Sequence, residues 1–315
     1  MMKIDAISKE IGNNLNLHDT SSIKCKDLKI GTNVFIGQRV KIICSQNVFI
    51  GDNVYIGDDV TIILKSISIG EYTKLHNHCL INGKENVEIG DNCWIGQNSI
   101  LNGESFLKIG NNVGIGTYTS LWTHGYFGQL VDGCNFFSIK PTIIEDDVWL
   151  MGSYNTIFPG VTIGHKSILM GTSVVTKSIP CNKIFSGNPA KDITEKFGSP
   201  YTKIDVKKQL EIINHKIVNY LIEKQLIFKE LNNEIQIDDY GIIFFGQKNR
   251  KKEIPLIHSV TFYDEVVDWL GSNDEKDSRF CLKTKTYEKK LSRIEILVKT
   301  ILNPVTARFI VKQTL

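Results

Sequence analysis

Isoleucine–glycine pairs recur in this chain at two fixed steps, and few folds accept such a rhythm. The pairs begin at Ile30, Ile36, Ile50, Ile56, Ile69, Ile89, Ile95, Ile109, Ile115 and Ile163. Within a doublet the step is six residues; between doublets it is about twenty. This reads as a coil with three short sides. Two sides take six residues each, and the third takes eight (42–49, 81–88, 101–108) or seven (62–68). Each unit opens on a large aliphatic residue, and its fifth position is small or β-branched, as at Val34, Val40, Val54, Val60, Cys79, Cys93 and Val113. The opening aliphatic is expected to point inward and stack on its equivalent one coil away. The Gly, Asp and Asn that follow suit corners with positive φ or side-chain-to-backbone bonds. One coil cannot bury its own aliphatic residues, whereas several can. Some seven coils at about 4.8 Å give a prism roughly 34 Å long. A βαβ protein with scattered glycines would show helical periodicity, which residues 30–180 lack; a right-handed β-helix has longer coils and weaker six-residue phasing.

Three further stretches carry a resemblance. Val148-Trp149-Leu150 and the run Ile157-Phe158-Pro159-Gly160-Val161-Thr162-Ile163-Gly164 are followed by Met170-Gly171-Thr172-Ser173-Val174-Val175-Thr176-Lys177 and Ser186-Gly187-Asn188-Pro189-Ala190-Lys191. With the repeats, residues of about 25–198 resemble the hexapeptide-repeat acyltransferases, in particular the branch that acetylates sugars and polysaccharides. The resemblance implies a left-handed parallel β-helix, an exception to the right-handed crossover rule. It also implies acetyl-CoA as co-substrate, and a homotrimer with active sites between subunits.

The repeat fails once, after Leu121. The segment from Trp122 to Lys140 holds Thr123-His124-Gly125 and two aromatic clusters, and phasing resumes at Ile144. A long excursion from a rigid scaffold is where binding residues sit. An imidazole suits the removal of a proton from an acceptor attacking a thioester. Taken alone, His124 reads more readily as a loop histidine held by local hydrogen bonds; its loop position together with the resemblance makes it the general base. The resemblance also carries Asn98 over as a residue that positions the acceptor hydroxyl. Asn102 and Glu104, one coil below the excursion, become sugar-binding residues, with Trp122 at its root and Trp149 near the reacting groups. Gly152, Ser153, Gly171 and Thr172 suit close approach of CoA to the backbone, and Lys177 and Lys191 its phosphates. Backbone N–H groups at 152–153 suit a thioester oxyanion. Residues 150–156 number one more than a hexad, which leaves open the amide that faces the donor. His76 and His78, at alternate positions, are the one rival constellation. They have no third ligand nearby in sequence and read as surface or subunit-contact histidines, so no metal is expected.

Composition excludes several classes. The 315 residues carry a net charge of +3, with no nucleic-acid footprint. Seven cysteines form no C-x-x-C pair, which argues against a zinc ribbon and fits a reducing compartment. Residues 1–24 form an N-terminal cap without the apolar core of a signal peptide. No run long enough to insert into a membrane occurs, so a cytoplasmic location is expected.

After Pro200 the pattern changes. Val206, Leu210, Ile213, Ile217, Tyr220, Ile227 and Leu231, with Lys224 at one seam position, predict a long amphipathic helix. Residues 240–246 predict a strand, and the basic run 248–252 a solvated turn. Ser292-Arg293-Ile294-Glu295 predicts a capping box opening an apolar helix through Leu302. The expected architecture is therefore mainly β: a β-helix over 25–198 with an insertion at 122–142, then a small α/β domain over 199–315. The expected activity is acetyl transfer from acetyl-CoA to a carbohydrate, first a hydroxyl in surface-polysaccharide biosynthesis, by direct attack. N-acetylation of a nucleotide-linked amino sugar is the alternative, and a non-enzymatic or metal-dependent β-helix the remote one.

Overall fold

The computed structural model describes residues 3–231, 234–245, 259–263, 277–303 and 307–311. They divide into two compact units, Met1–Thr202 and Lys203–Leu315.

The first unit is a left-handed parallel β-helix. Equivalent aliphatic residues sit in register on successive coils. Ile36, Ile56, Leu75, Ile95, Ile115, Leu150 and Leu169 form one inward column. A second runs through Ile30, Ile50, Ile69, Ile89, Ile109, Ile144 and Ile163. A third runs through Ile42, Ile62, Ile81, Leu101, Leu121 and Ile157. All are at most 2% exposed, and Val34, Val54, Cys79, Cys93 and Val113 fill the gaps between columns. The inward stacking expected from the spacing is what the fold buries, and this apolar burial is its main driving force. The N-terminal strand Ile4–Ile11 pairs in parallel with Ser22–Ile30 and extends the stack.

The corners correct one expectation. The left-handed conformation belongs to the third corner residue, such as Asn33, Asn53, His78 or Tyr118 (φ 55–62°), and not to the glycine. The glycine answers to close approach: a β-carbon on Gly31 would stand 2.7 Å from the next coil's backbone at Gly51 and Asp52. Where an Asp or Asn occupies the next position it seals the seam, as Asp58 Oδ1 accepts from Gln38 N–H at 2.7 Å and Asn111 Oδ1 from Asp91 N–H at 2.9 Å.

The excursion after Leu121 is a β-hairpin. His124–Tyr126 pairs antiparallel with Phe137–Ile139, and Thr142 re-enters the ladder opposite Leu107.

Among its described residues the second unit has a seven-stranded mixed sheet and two helices, Val206–Glu223 and Arg293–Leu302. The helix Val206–Glu223 is capped by Asp205 and buries Ile213, Ile217 and Leu221 in this unit's core. The expected continuation to Leu231 does not occur. Gln225 turns left-handed (φ 53°), and Leu226 N–H bonds back to the Leu221 carbonyl at 2.9 Å. This closes the helix without a glycine, and Leu231 ends a strand, Phe228–Leu231. A strand occupies Gly241–Phe245; residue 246 and the basic run 248–252 lie outside the described residues. Ser292 caps the helix Arg293–Leu302 by accepting from Glu295 N–H at 3.2 Å. The reciprocal bond of the expected box goes elsewhere. The Glu295 carboxylate accepts from Lys290 N–H at 2.6 Å, Leu291 N–H at 3.2 Å and the Ser278 hydroxyl at 2.5 Å. No helix among the described residues is long and apolar enough to cross a membrane.

Candidate active site

His124 stands at the first position of the hairpin, where the prism's third side ends. Its Nδ1 lies 2.8 Å from Asn102 Oδ1. Asn102 is 3% exposed, and its oxygen also meets the Thr123 hydroxyl at 2.8 Å and Thr123 N–H at 3.3 Å. Thr123, fully buried, accepts from Ser105 N–H at 2.9 Å and so pins the hairpin root to the coil below. The polar atoms of Asn102, expected to meet a sugar, make hydrogen bonds inside the protein, beneath the imidazole.

Glu104 is engaged too. Its carboxylate pairs with Lys84 and accepts from the Tyr126 hydroxyl at 3.2 Å. The Lys84 ammonium holds this carboxyl below the usual glutamate range against the opposing effect of burial, and Tyr126 and His124 add to the shift. Glu104 therefore latches the hairpin to the ridge.

Aromatic rings flank the imidazole. The Trp122 ring meets it edge-on at 5.8 Å and Tyr126 lies at 5.1 Å, with Phe137 a further 5.3 Å from Tyr126. Phe127, Phe136 and Phe137 are exposed nearby. Sequence reasoning placed Trp122 here but gave Thr123 no role, because no repeat phase assigns the residues of the excursion a direction.

Four of the remaining site residues gather at a different corner. Gly152, Ser153, Gly171 and Thr172 sit together on consecutive coils, with Thr172 N–H bonded to the Ser153 carbonyl at 2.8 Å. The Ser153 and Thr117 hydroxyls share a hydrogen bond of 2.6 Å. The extra residue in this coil is absorbed as a bulge, with left-handed Gly152 and Tyr154 (φ 73° and 62°) tied by Asn155 Nδ2 to the Met151 carbonyl at 3.0 Å. Asn98 occupies the same row of corner residues (φ 61°), at the far end of strand Ile100–Asn102 from Asn102. Lys177 is exposed past the far end of Val174–Val175, and Lys191 lies on the closing strand Lys191–Asp192. Trp149 is on the side that carries the Ile36–Leu169 column, its indole lying over Gly114. From the Thr117 corner to Trp122 runs the whole third side, five residues or roughly 15 Å.

His76 and His78 do not converge. His76 stacks between Tyr55 (5.9 Å) and Trp94 (4.8 Å), and burial pushes its pKa down. His78 Nδ1 lies 3.6 Å from Asp59. No group of three or more His, Cys, Asp or Glu residues able to hold a metal occurs among the described residues.

Over its prism the chain is similar to hexapeptide-repeat acetyltransferases. It is 34% identical over 105 residues to a chloramphenicol acetyltransferase of Klebsiella aerogenes, covering 31% of this chain and 49% of that protein. It is 37% identical over 91 residues to the galactoside O-acetyltransferase of Escherichia coli, covering 28% and 44%. The chain thus spans about half the length of the curated relatives it matches. Among solved structures it is similar to AntD, an N-acyltransferase from Bacillus cereus in complex with dTDP and 3-hydroxybutyryl-CoA. That match has 23% identity and a TM-score of 0.40, covering 53% of this chain and 88% of that one. No family model matches the chain.

Proposed function

We propose that this protein is an acetyltransferase that moves an acetyl group from acetyl-CoA to a carbohydrate, with a sugar hydroxyl as acceptor and His124 as general base. The observation that carries this reading is a histidine at the root of a pinned hairpin whose Nδ1 is engaged from below. The other nitrogen, Nε2, is left to meet an acceptor. The acceptor oxygen attacks the thioester carbonyl carbon as its proton passes to Nε2. The tetrahedral intermediate collapses, the C–S bond breaks, and the imidazolium returns the proton to the departing thiolate. A base of this kind contributes about 10²–10⁴-fold. Backbone N–H groups of the 152–153 bulge are assigned to the oxyanion.

The donor corner and His124 stand at opposite edges of the third side. A complete site therefore calls for two copies of the chain, which supports a homotrimer with shared sites. The galactoside-acetylating relative favours a hydroxyl acceptor. The exposed aromatic rings beside His124 favour, as a second reading, a nucleotide-linked amino sugar whose base stacks on Tyr126 or Phe136. A free acetyl-CoA donor implies action in the cytoplasm.

The test is CoA release from acetyl-CoA with sugars, nucleotide-amino-sugars and polysaccharide fragments, wild type against His124→Ala. A loss of about 10²-fold or more supports the base assignment. Full activity in the variant sinks it.

A further inference from the structure

A neutral histidine accepts a proton through only one ring nitrogen, and the polar knot under His124 selects which. Asn102 lies on an outward column that runs Lys24, Ile43, Ile63, Asn82, Asn102 on successive coils. The column changes from aliphatic to amide as it reaches the histidine, and Asn102 is buried although it faces outward.

The orientation of that amide is dictated by the backbone around it. Its oxygen faces two obligate donors, Thr123 N–H at 3.3 Å and Glu104 N–H at 3.4 Å. Its nitrogen faces an obligate acceptor, the Asn82 carbonyl, at 3.3 Å. Turning the amide by half a revolution would set NH₂ against two N–H groups and oxygen against a carbonyl. The atom 2.8 Å from His124 Nδ1 is therefore an acceptor, and Nδ1 must carry the hydrogen.

We infer that Asn102 is a positioning residue that holds neutral His124 as the Nδ1–H tautomer, leaving Nε2 as the basic nitrogen. The Asn82 carbonyl requires an amide there, because a carboxylate would bring a charged oxygen against it. Glu104, the carboxylate that His124 helps to hold ionised, is already paired with Lys84. The histidine is thus aligned by a neutral partner that does not hold the imidazolium in an ion pair, which favours return of the proton to the thiolate. The catalytic consequence rests on the proposed role of His124; the tautomer does not.

The experiment is nitrogen NMR of the full chain labelled at histidine, recorded above the imidazole titration, with His124→Ala identifying the signal. Wild type is expected to show a protonated, pyrrole-type Nδ1 and a pyridine-type Nε2. A pyridine-type Nδ1 in wild type overturns the inference without any variant. Asn102→Ala is expected to let the Nε2–H form dominate, and an unchanged tautomer there also overturns it. With an acceptor from the panel above, Asn102→Ala is expected to lose about 10²-fold in kcat with the acetyl-CoA KM little changed. If His124→Ala keeps full activity while wild type shows Nδ1–H, the base assignment fails and the tautomer inference stands.

Discussion

The carbonyl oxygen of Gly152 occupies the place where Gly116, one coil below, would carry a β-carbon. That atom would overlap the oxygen outright and stand 2.6 Å from the Gly152 carbonyl carbon. The 151–155 bulge, with its one extra residue, thus closes only over a glycine. Both contacts are backbone, so no rotamer change relieves them.

Gly116→Ala is accordingly expected to cost about 3 kcal/mol and to push the 151–155 bulge outward. Thermal unfolding reads the first effect. Calorimetric titration with acetyl-CoA reads the second, as weaker donor binding. Retention of both wild-type values would place the bulge elsewhere than at this corner.

The latch between Glu104 and Tyr126 gives the hairpin an acid-sensitive hold. The folded-state carboxyl is held below its ordinary value, chiefly by Lys84. Its contribution is therefore present at neutral pH and fades as pH falls through and below about 4. Glu104→Gln should melt below wild type at pH 7, and the gap should close in acid. Tyr126→Phe should quicken amide exchange at 124–126 and 137–139 without changing the melt of the prism.

Ile115 is fully buried between Ile95 and Leu150 in the inward column that runs from Ile36 to Leu169. Ile115→Ala is expected to cost about 3 kcal/mol, through lost burial and the cavity left behind. Trp94→Ala, on the outward face of the same side and 40% exposed, should cost much less. Chemical denaturation compares the two directly.

In the second unit, burial pushes the Glu295 carboxyl above its ordinary value, against the hydrogen bonds from Ser278 and the Lys290 and Leu291 amides. A folded carboxyl raised in this way favours the native state below its unfolded value, and the advantage is lost as pH rises through the folded one. Glu295→Gln stays neutral throughout, so it should gain on wild type as pH rises above about 4.3, the ordinary glutamate value. Glu295→Ala leaves the two amides without their acceptor and should cost about 1–3 kcal/mol at any pH in that range. Melting curves across the range separate the two variants.

Much of the prism was legible before any coordinates. A coil contact joins residues about twenty apart, the repeat length itself, so the Ile-Gly spacing encodes register and burial together. The helix from Val206 was legible in its face but not in its end, because Gln225 adopts a left-handed turn that carries no glycine signal. The hairpin was legible only as a break, since antiparallel pairing of 124–126 with 137–139 follows no six-residue phase. His124 could be singled out by its place at that break. Asn102 was noticed but given a sugar to hold.

What the sequence by itself determined was the coil: which residue of each unit is buried, where the corners fall, and where the repeat is interrupted. These follow from a one-dimensional period, repeated often enough that each position is specified several times over. Only the tertiary structure decided what the residues near the interruption do. The orientation of Asn102 depends on backbone groups of residues 82, 104 and 123, brought together from successive coils. The separation of the Gly152–Ser153 corner from His124 depends on the width of one side of the prism. Neither quantity is periodic, so neither could be read from spacing.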